Sequence, residues 1–221
     1  MTKEIDKKYP DGFELGIVGI LFKSLEVYTL SHDSKILSGI FEILCEPLVR
    51  SIAEENGFIL KKAAQNAYPD FTIFNENEPE KKYAIEVKST YRQYTKKNTL
   101  KKFGFTLGSY KSYLRDLKGK KGILYPYSDY IEHWVIGFLY SRNPNCSITE
   151  IRRITEASQL EAPYTDIEYF VQQKHLISGE KPGSGNTTNI GSMKSADIND
   201  FRNGIGPFKT KREFEEYWKT Y

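Results

Sequence analysis

Soft and imidazole metal ligands are scarce in this chain: two cysteines, Cys45 and Cys146, and three histidines, His32, His133 and His175, in 221 residues. They are scattered rather than set at zinc-ligand spacing, which argues against a zinc ribbon or finger. A large excess of one charge is also missing. Thirty-two basic residues stand against 29 acidic ones, a net +3, so any affinity for nucleic acid must come from local clusters rather than from the bulk. No apolar run approaches membrane-spanning length, and the opening Met-Thr-Lys-Glu-Ile-Asp has no secretory pattern. A reduced, soluble, cytoplasmic protein without a membrane partner is expected.

What the chain does have is Pro69-Asp70 followed by Glu86-Val87-Lys88. Carboxylate oxygens are the ligands Mg²⁺ prefers, and that cation usually completes its shell with water and substrate phosphate. A lysine beside it can position the attacking water and offset charge on phosphorus. Residues 70–74 and 83–88 are rich in aromatic and β-branched residues, and 75–80 reads as a turn. A turn centred near Glu78 places Asp70 opposite Glu86. Glu86 and Lys88 then share one face, while Ile85 and Val87 point to the other, toward a core. An ordinary hairpin with a charged rim is the competing reading of the same residues.

The remainder suits one sizeable α/β domain. Residues 15–30 suggest two short strands. Residues 34–56 carry an amphipathic pattern with Asp33 or Ser34 as N-cap, Gly57 as stop and Pro47 as a bend or break. Residues 58–60 and 134–140 read as strands, and 209–221 as a helix holding Phe214, Tyr217 and Trp218. His133 is expected as a satisfied core or edge residue rather than a catalytic base, since no paired carboxylate or nucleophile neighbours it in sequence. Glu42 lies beside the apolar stripe of the long helix and is either a third carboxylate for the hairpin or a surface residue; Lys35, nearer the start of that helix, carries the same ambiguity. Lysines cluster at 96–97, 101–102, 118–121 and 209–212. In the segment 181–192, Lys-Pro-Gly-Ser-Gly-Asn-Thr-Thr-Asn-Ile-Gly-Ser, glycines allow close backbone approach. Asn can bond adenine bidentately there, and the Thr methyl can pack on thymine. It lacks the Gly-Lys-Ser/Thr ending of a nucleotide-binding loop, and a flexible polar loop is the alternative.

Residues 183–192, together with Tyr68-Pro69-Asp70-Phe71-Thr72 and Glu86-Val87-Lys88-Ser89-Thr90-Tyr91, closely resemble the EcoRV-type type II restriction endonucleases of the PD-(D/E)xK nuclease superfamily. Further matching pieces are Ser34-Lys35-Ile36-Leu37-Ser38, Phe41-Glu42, Phe105-Thr106-Leu107-Gly108 and His133-Trp134-Val135-Ile136-Gly137, in the same order from about Gly19 to Trp218. The resemblance implies an α/β (α+β) fold with a central mixed β-sheet flanked by helices. It further implies that Asp70 and Glu86 bind Mg²⁺ with the Val87 carbonyl, that Lys88 is catalytic, that Glu42 is an auxiliary catalytic and metal-binding carboxylate, and that Lys35 is a cation on the DNA side. Gln65 and Asn66 match a minor-groove and backbone loop, Lys121 a phosphate-contacting lysine, and Gly183, Ser184, Gly185, Asn186 and Thr187 a major-groove recognition loop.

The implied substrate is double-stranded DNA at GATATC, cut centrally to blunt ends with 5′-phosphates. The implied assembly is a homodimer, because a palindrome is read by a two-fold protein. Its interface is expected near the hairpin at 15–32, within one domain spanning 1–221. A cognate methyltransferase is the implied companion, and a bacterial cytoplasm the implied setting. Two departures stand out. Glu86 occupies the place of the family's usual aspartate, and the sequence stops at Tyr221 where the family continues into a basic segment that grips phosphates, so DNA affinity is expected to differ. A structure-specific repair nuclease would share the acidic pair and lysine, and a non-catalytic module would bind the palindrome without cutting it.

Overall fold

The computed structural model describes residues 2–8, 16–108, 110–183 and 189–221. A short helix α1 (Thr2–Lys8) and the strands β1 (Gly19–Leu21) and β2 (Glu26–Thr29) precede the long helix α2 (Ser34–Glu55). Strands β3 (Ile59–Lys62), β4 (Phe71–Phe74) and β5 (Lys82–Tyr91) follow, then α3 (Tyr110–Arg115), β6 (Tyr130–Arg142), β7 (Ile151–Arg153) and β8 (Tyr164–Gln173). The last part holds α4 (Lys174–Ile177), β9 (Ser178–Pro182), β10 (Ile190–Ser192), α5 (Ile198–Arg202) and α6 (Lys211–Thr220). The main sheet runs β3-β4-β5-β6-β8, with β5 parallel to β6 and its other pairs antiparallel. It is the expected mixed sheet flanked by helices.

Local chemistry sets the bounds of α2. Asp33 accepts hydrogen bonds from the Lys35 and Ile36 amides at the start. At the end Gly57 takes φ +74°; its amide donates to the Glu54 carbonyl and that of Phe58 to Ala53, the paired bonds of a left-handed glycine cap. Pro47 sits inside the helix without the interruption its sequence position suggests. The apolar stripe Leu37, Phe41, Cys45, Leu48, Val49, Ile52 lies on one sheet face with Phe71, Ile85, Val87, Ile136 and Phe138.

The opposite sheet face is buried too. Ala84, Val135, Leu139 and Phe170 pack there with Phe103, Phe105, Phe201, Phe214 and Trp218. The sequence pattern of the hairpin suggests a single core face; β5 is instead covered on both sides, as central strands are. Glu86, on the second face, is therefore a buried charge rather than part of a solvent-facing rim. β6 extends beyond 134–140 at both ends, where Tyr130 and Glu132 pair with β5 and Ser141 and Arg142 pair with β8. Within it Gly137 faces Phe170 in register, and a Cβ there would meet that ring at 2.1 Å.

The two strands expected in 15–30 form a separate three-stranded sheet, β1-β2-β7. It leaves Ile20, Leu21, Phe22, Leu25 and Ile151 exposed. Tyr217, expected with Phe214 and Trp218, is partly buried against the same core. Among the described residues no helix is long and apolar enough to cross a membrane.

Candidate active site

Asp70 enters β4 directly after the cis peptide Tyr68-Pro69. Its approach is clamped: the Tyr68 amide donates to Gly122 at 2.9 Å and the Leu124 amide to Tyr68 at 2.8 Å. Phe71 pairs with Ile85, so Asp70 falls opposite Glu86, the register expected from a turn centred at Glu78. Asp70 Oδ2 accepts a hydrogen bond from the Val87 amide at 2.7 Å.

Glu86 is 4% exposed and both of its oxygens face ammonium groups. Oε1 lies 2.8 Å from Lys88 Nζ, and Oε2 lies 2.6 Å from Lys174 Nζ. Lys174, at the first position of α4, is itself 1% exposed, its Nζ 4.6 Å from the centre of the Tyr68 ring. Buried charges persist where they are paired in this way.

The electrostatics divide the carboxylates. Burial pushes the Asp70 carboxyl up to about 6; Lys88 and the Val87 amide work against the rise, and Glu86 and Glu42 add to it. Burial acts in the same sense on Glu86, yet the Lys174 and Lys88 ammoniums outweigh it and hold this carboxyl below its ordinary value. On Lys88 burial opposes the charge, but Glu86 and Asp70 prevail and its pKa is raised. On Lys174 burial prevails over Glu86 and lowers it to about 8. One proton-ready acid thus stands opposite one firmly ionised carboxylate, with a charged lysine beside them.

Glu42 projects from α2 toward the cavity that it lines with Lys62, Gln65, Asn66 and Asp70. Lys62 draws it at 3.5 Å. Among the described residues no three His, Cys, Asp or Glu side chains close on one point, so Glu42 flanks the Asp70–Glu86 pair without joining it in a ready-made cage. Gln65 and Asn66 are exposed on the cavity rim, Asn66 with φ +65°. Lys35 is exposed on α2 ahead of Glu42, and Lys121 is exposed next to Gly122, whose carbonyl holds Tyr68.

Of the loop residues singled out in sequence, Ser184, Gly185, Asn186 and Thr187 lie outside the described residues. Gly183 is described at the end of β9. Its amide donates to the Asn189 carbonyl at 3.0 Å, and its carbonyl accepts from Thr106 Oγ1 at 3.3 Å. A Cβ on Gly183 would lie 2.9 Å from Gly191 Cα and 3.1 Å from Thr106 Cα. The close approach that glycine permits here is therefore to the protein's own backbone.

A family model described as restriction endonuclease EcoRV matches residues 11–221. The type II restriction enzyme EcoRV of Escherichia coli is 40% identical over 219 residues, covering 98% of this chain and 86% of that protein. The chain belongs to the EcoRV restriction endonuclease family. It is accordingly a type II restriction endonuclease, a site-specific deoxyribonuclease acting on double-stranded DNA, and EcoRV-type nucleases are in general dependent on divalent metal.

The donor set of this EcoRV-type site fits a hard cation. Its candidate ligands are carboxylate oxygens of Asp70 and Glu86, the chemistry that Mg²⁺ and its relatives select. The thiol of Cys45, pushed up to about 12 by burial, stays protonated and buried under α2. His133 is a core residue as expected: its Nδ1 is 2.7 Å from Tyr68 Oη, and its ring stacks on Tyr127. Burial holds its pKa well below the ordinary value.

Three cations escaped the reading of the sequence: Lys62 beside Glu42, Lys174 and Lys194. Lys174 stands in an unremarkable stretch, Gln-Gln-Lys-His, and only the fold brings it to Glu86. Lys194 lines a cleft with Lys101, Lys102 and Lys181 beside the loop stems, a convergence of separate segments that no local spacing encodes.

Proposed function

We propose that this EcoRV-type enzyme is an Mg²⁺-dependent nuclease that cuts GATATC at its centre, leaving blunt ends with 5′-phosphate and 3′-hydroxyl groups. The observation that carries the reading is the meeting of Asp70, Glu86 and Lys88 at the β4–β5 pair, with Asp70 on the Val87 amide at 2.7 Å and Glu86 on Lys88 at 2.8 Å. Asp70 and Glu86 would hold the cation, with the Val87 carbonyl as a further ligand and Glu42 as an auxiliary carboxylate. When bound, the cation supplies charge stabilisation at phosphorus and a more acidic water. Lys88, held ionised by its two carboxylate neighbours, orients the attacking water and offsets the charge that develops on the phosphate. The pairing of β5 on both edges and the burial of Glu86 hold these side chains in a fixed geometry.

Selection of the phosphate falls to residues around the site. Gly183, Ser184, Gly185, Asn186 and Thr187 read the major groove, and deformation of the central TA step adds discrimination. Gln65 and Asn66 approach the minor groove and backbone, Lys35 is a cation on the DNA side, and Lys121 contacts a phosphate. The palindrome is read by a homodimer joined near β1 and β2, a reading supported by the exposed Ile20, Leu21, Leu25 and Ile151. The enzyme acts in a bacterial cytoplasm whose own DNA a cognate methyltransferase protects.

One experiment tests this. A plasmid with a single GATATC is incubated with the protein and Mg²⁺, and the new ends are sequenced. A blunt cut between the central T and A is expected. Staggered ends, another site, or structure-dependent nicks would overturn the assignment.

A further inference from the structure

The arrangement around Glu86 contains a group that the proposed cleavage chemistry does not use. Lys174 is fully enclosed, and its Nζ lies 2.6 Å from Glu86 Oε2. An enclosed ammonium is an expensive way to fill a core position, and an apolar side chain of similar volume would often serve stability as well or better. Its presence against one particular carboxylate oxygen therefore points to a role in that carboxylate's geometry.

Two further contacts define the role. The other oxygen, Oε1, faces Lys88 at 2.8 Å and borders Gly108, where a Cβ would come within 3.2 Å of it. Gly108 in turn accepts a hydrogen bond from the Ile190 amide at 3.0 Å, and Ile190 opens β10. Lys174 opens α4, which runs directly into β9, and the Met193 amide of the returning chain donates to Ile177 at 2.8 Å. Glu86 is thus bracketed from both stems of the segment that spans Gly183 to Ile190: Lys174 lies on the incoming side and Gly108 on the outgoing side.

We propose that Lys174 is a positioning residue for Glu86. Its ammonium occupies Oε2, leaves Oε1 as the oxygen that faces Lys88, and ties the orientation of this carboxylate to the stem of the recognition loop. The inference rests on the reading of Asp70, Glu86 and Lys88 given above. Groups that orient a metal-binding carboxylate typically change metal affinity or activity by about 10- to 100-fold when removed.

The test compares the full chain with Lys174→Met, an unbranched apolar replacement of similar length. Thermal melting in EDTA establishes that the variant is folded; if it is not, Lys174→Gln is taken through the same assays. Mn²⁺ binding to the protein–GATATC duplex complex is measured by electron paramagnetic resonance. Duplex binding in EDTA is measured by fluorescence anisotropy, and single-turnover cleavage is followed as a function of Mg²⁺.

The expected result is Mn²⁺ affinity lower by about 10- to 100-fold, with cleavage partly recovered at high Mg²⁺. Duplex binding in EDTA should stay within about twofold, since no phosphate contact is touched. Unchanged Mn²⁺ affinity and Mg²⁺ dependence would overturn the proposal. So would tighter Mn²⁺ binding, which would make the ammonium a competing charge rather than a positioning group. Failure of the unsubstituted protein to cut the duplex, or full cleavage by Asp70→Ala, would instead sink the underlying site assignment.

Discussion

The cluster assigned to cleavage and the loop assigned to recognition are built in opposite ways. Asp70 leads directly into β4, Glu86 and Lys88 lie on the adjacent β5 of the five-stranded sheet, and β5 is paired on both edges and covered on both faces. The recognition segment hangs from β9 and β10, a two-stranded sheet whose register shifts between Ile190 and Ser192. Its stems are pinned at Gly183 by three backbones in close approach. A group that must meet a phosphate with sub-ångström accuracy gains from a rigid seat, whereas a loop that enters a groove needs reach. The contrast predicts that the two halves can be damaged separately.

The largest expected effect is on cutting alone. Asp70→Ala should abolish cleavage of a GATATC plasmid in Mg²⁺ while a gel shift still separates that duplex from one of scrambled sequence. Asp70→Asn sharpens the point through stability. The carboxyl of folded Asp70 is raised to about 6 from an ordinary 3.8, so the folded protein holds this proton more tightly than the unfolded chain. The contribution of Asp70 to stability is therefore fullest below about pH 4 and is lost as pH rises through 6. In metal-free buffer Asp70→Asn should be more stable than the parent at pH 7 by roughly 1–3 kcal/mol, an advantage absent near pH 4. Denaturant melts at the two pH values read the difference, and equal curves would show that burial does not strain this carboxylate.

Next in size is Lys88→Ala. It removes a preorganised charge from the developing phosphate, which should lower single-turnover cleavage by about 10²- to 10³-fold with the preference for GATATC intact. Glu86 keeps its bond to Lys174 in this variant, so the fold is retained. A loss of site preference together with rate would mean that the two halves are not separable. On the reading side, Asn186→Ala should forfeit about 1–3 kcal/mol of discrimination. Competition between GATATC and single-substitution duplexes reads that loss, and the cleavage rate on a saturated non-cognate duplex should not fall.

The same contrast explains what was legible beforehand. The cleavage hairpin is a local structure, and its register followed from a turn centre and a period of two, so Asp70 opposite Glu86 emerged from spacing. The caps of α2 were equally local, with Asp33 at one end and Gly57 at the other. Burial of Glu86 was not legible, because the second core is assembled from Phe103, Phe105, Phe201, Phe214 and Trp218, residues far apart in sequence. Lys174 was missed for the same reason. Strand β8 carries exposed and half-buried residues through Thr165 to Tyr169, which erases the alternation that marks a strand, and the pairing of β7 with β2 joins segments more than a hundred residues apart. Pro47, which reads as a bend or a break, does not break the helix: the packing of Cys45, Leu48 and Val49 into the core outweighs the one lost hydrogen bond.

The smallest expected effect belongs to neither half. Lys121 is exposed beside the Gly122 carbonyl that receives the Tyr68 amide, and it is assigned to a phosphate rather than to a base or to the reacting group. A phosphate contact contributes through release of one condensed counterion, so its removal weakens every duplex alike. Lys121→Ala should leave both the ratio of GATATC to scrambled binding and the single-turnover rate on bound duplex within about twofold of the parent. The slope of log K against log salt should shrink by about 1, measured by anisotropy over a salt series in EDTA. A change in the ratio would give Lys121 a part in reading the sequence, and a change in the rate would couple it through Gly122 and Tyr68 to Asp70. An unaltered slope would remove it from the DNA altogether and leave Lys101, Lys102, Lys181 and Lys194, which share the cleft beside the loop stems, as the cations that hold the backbone.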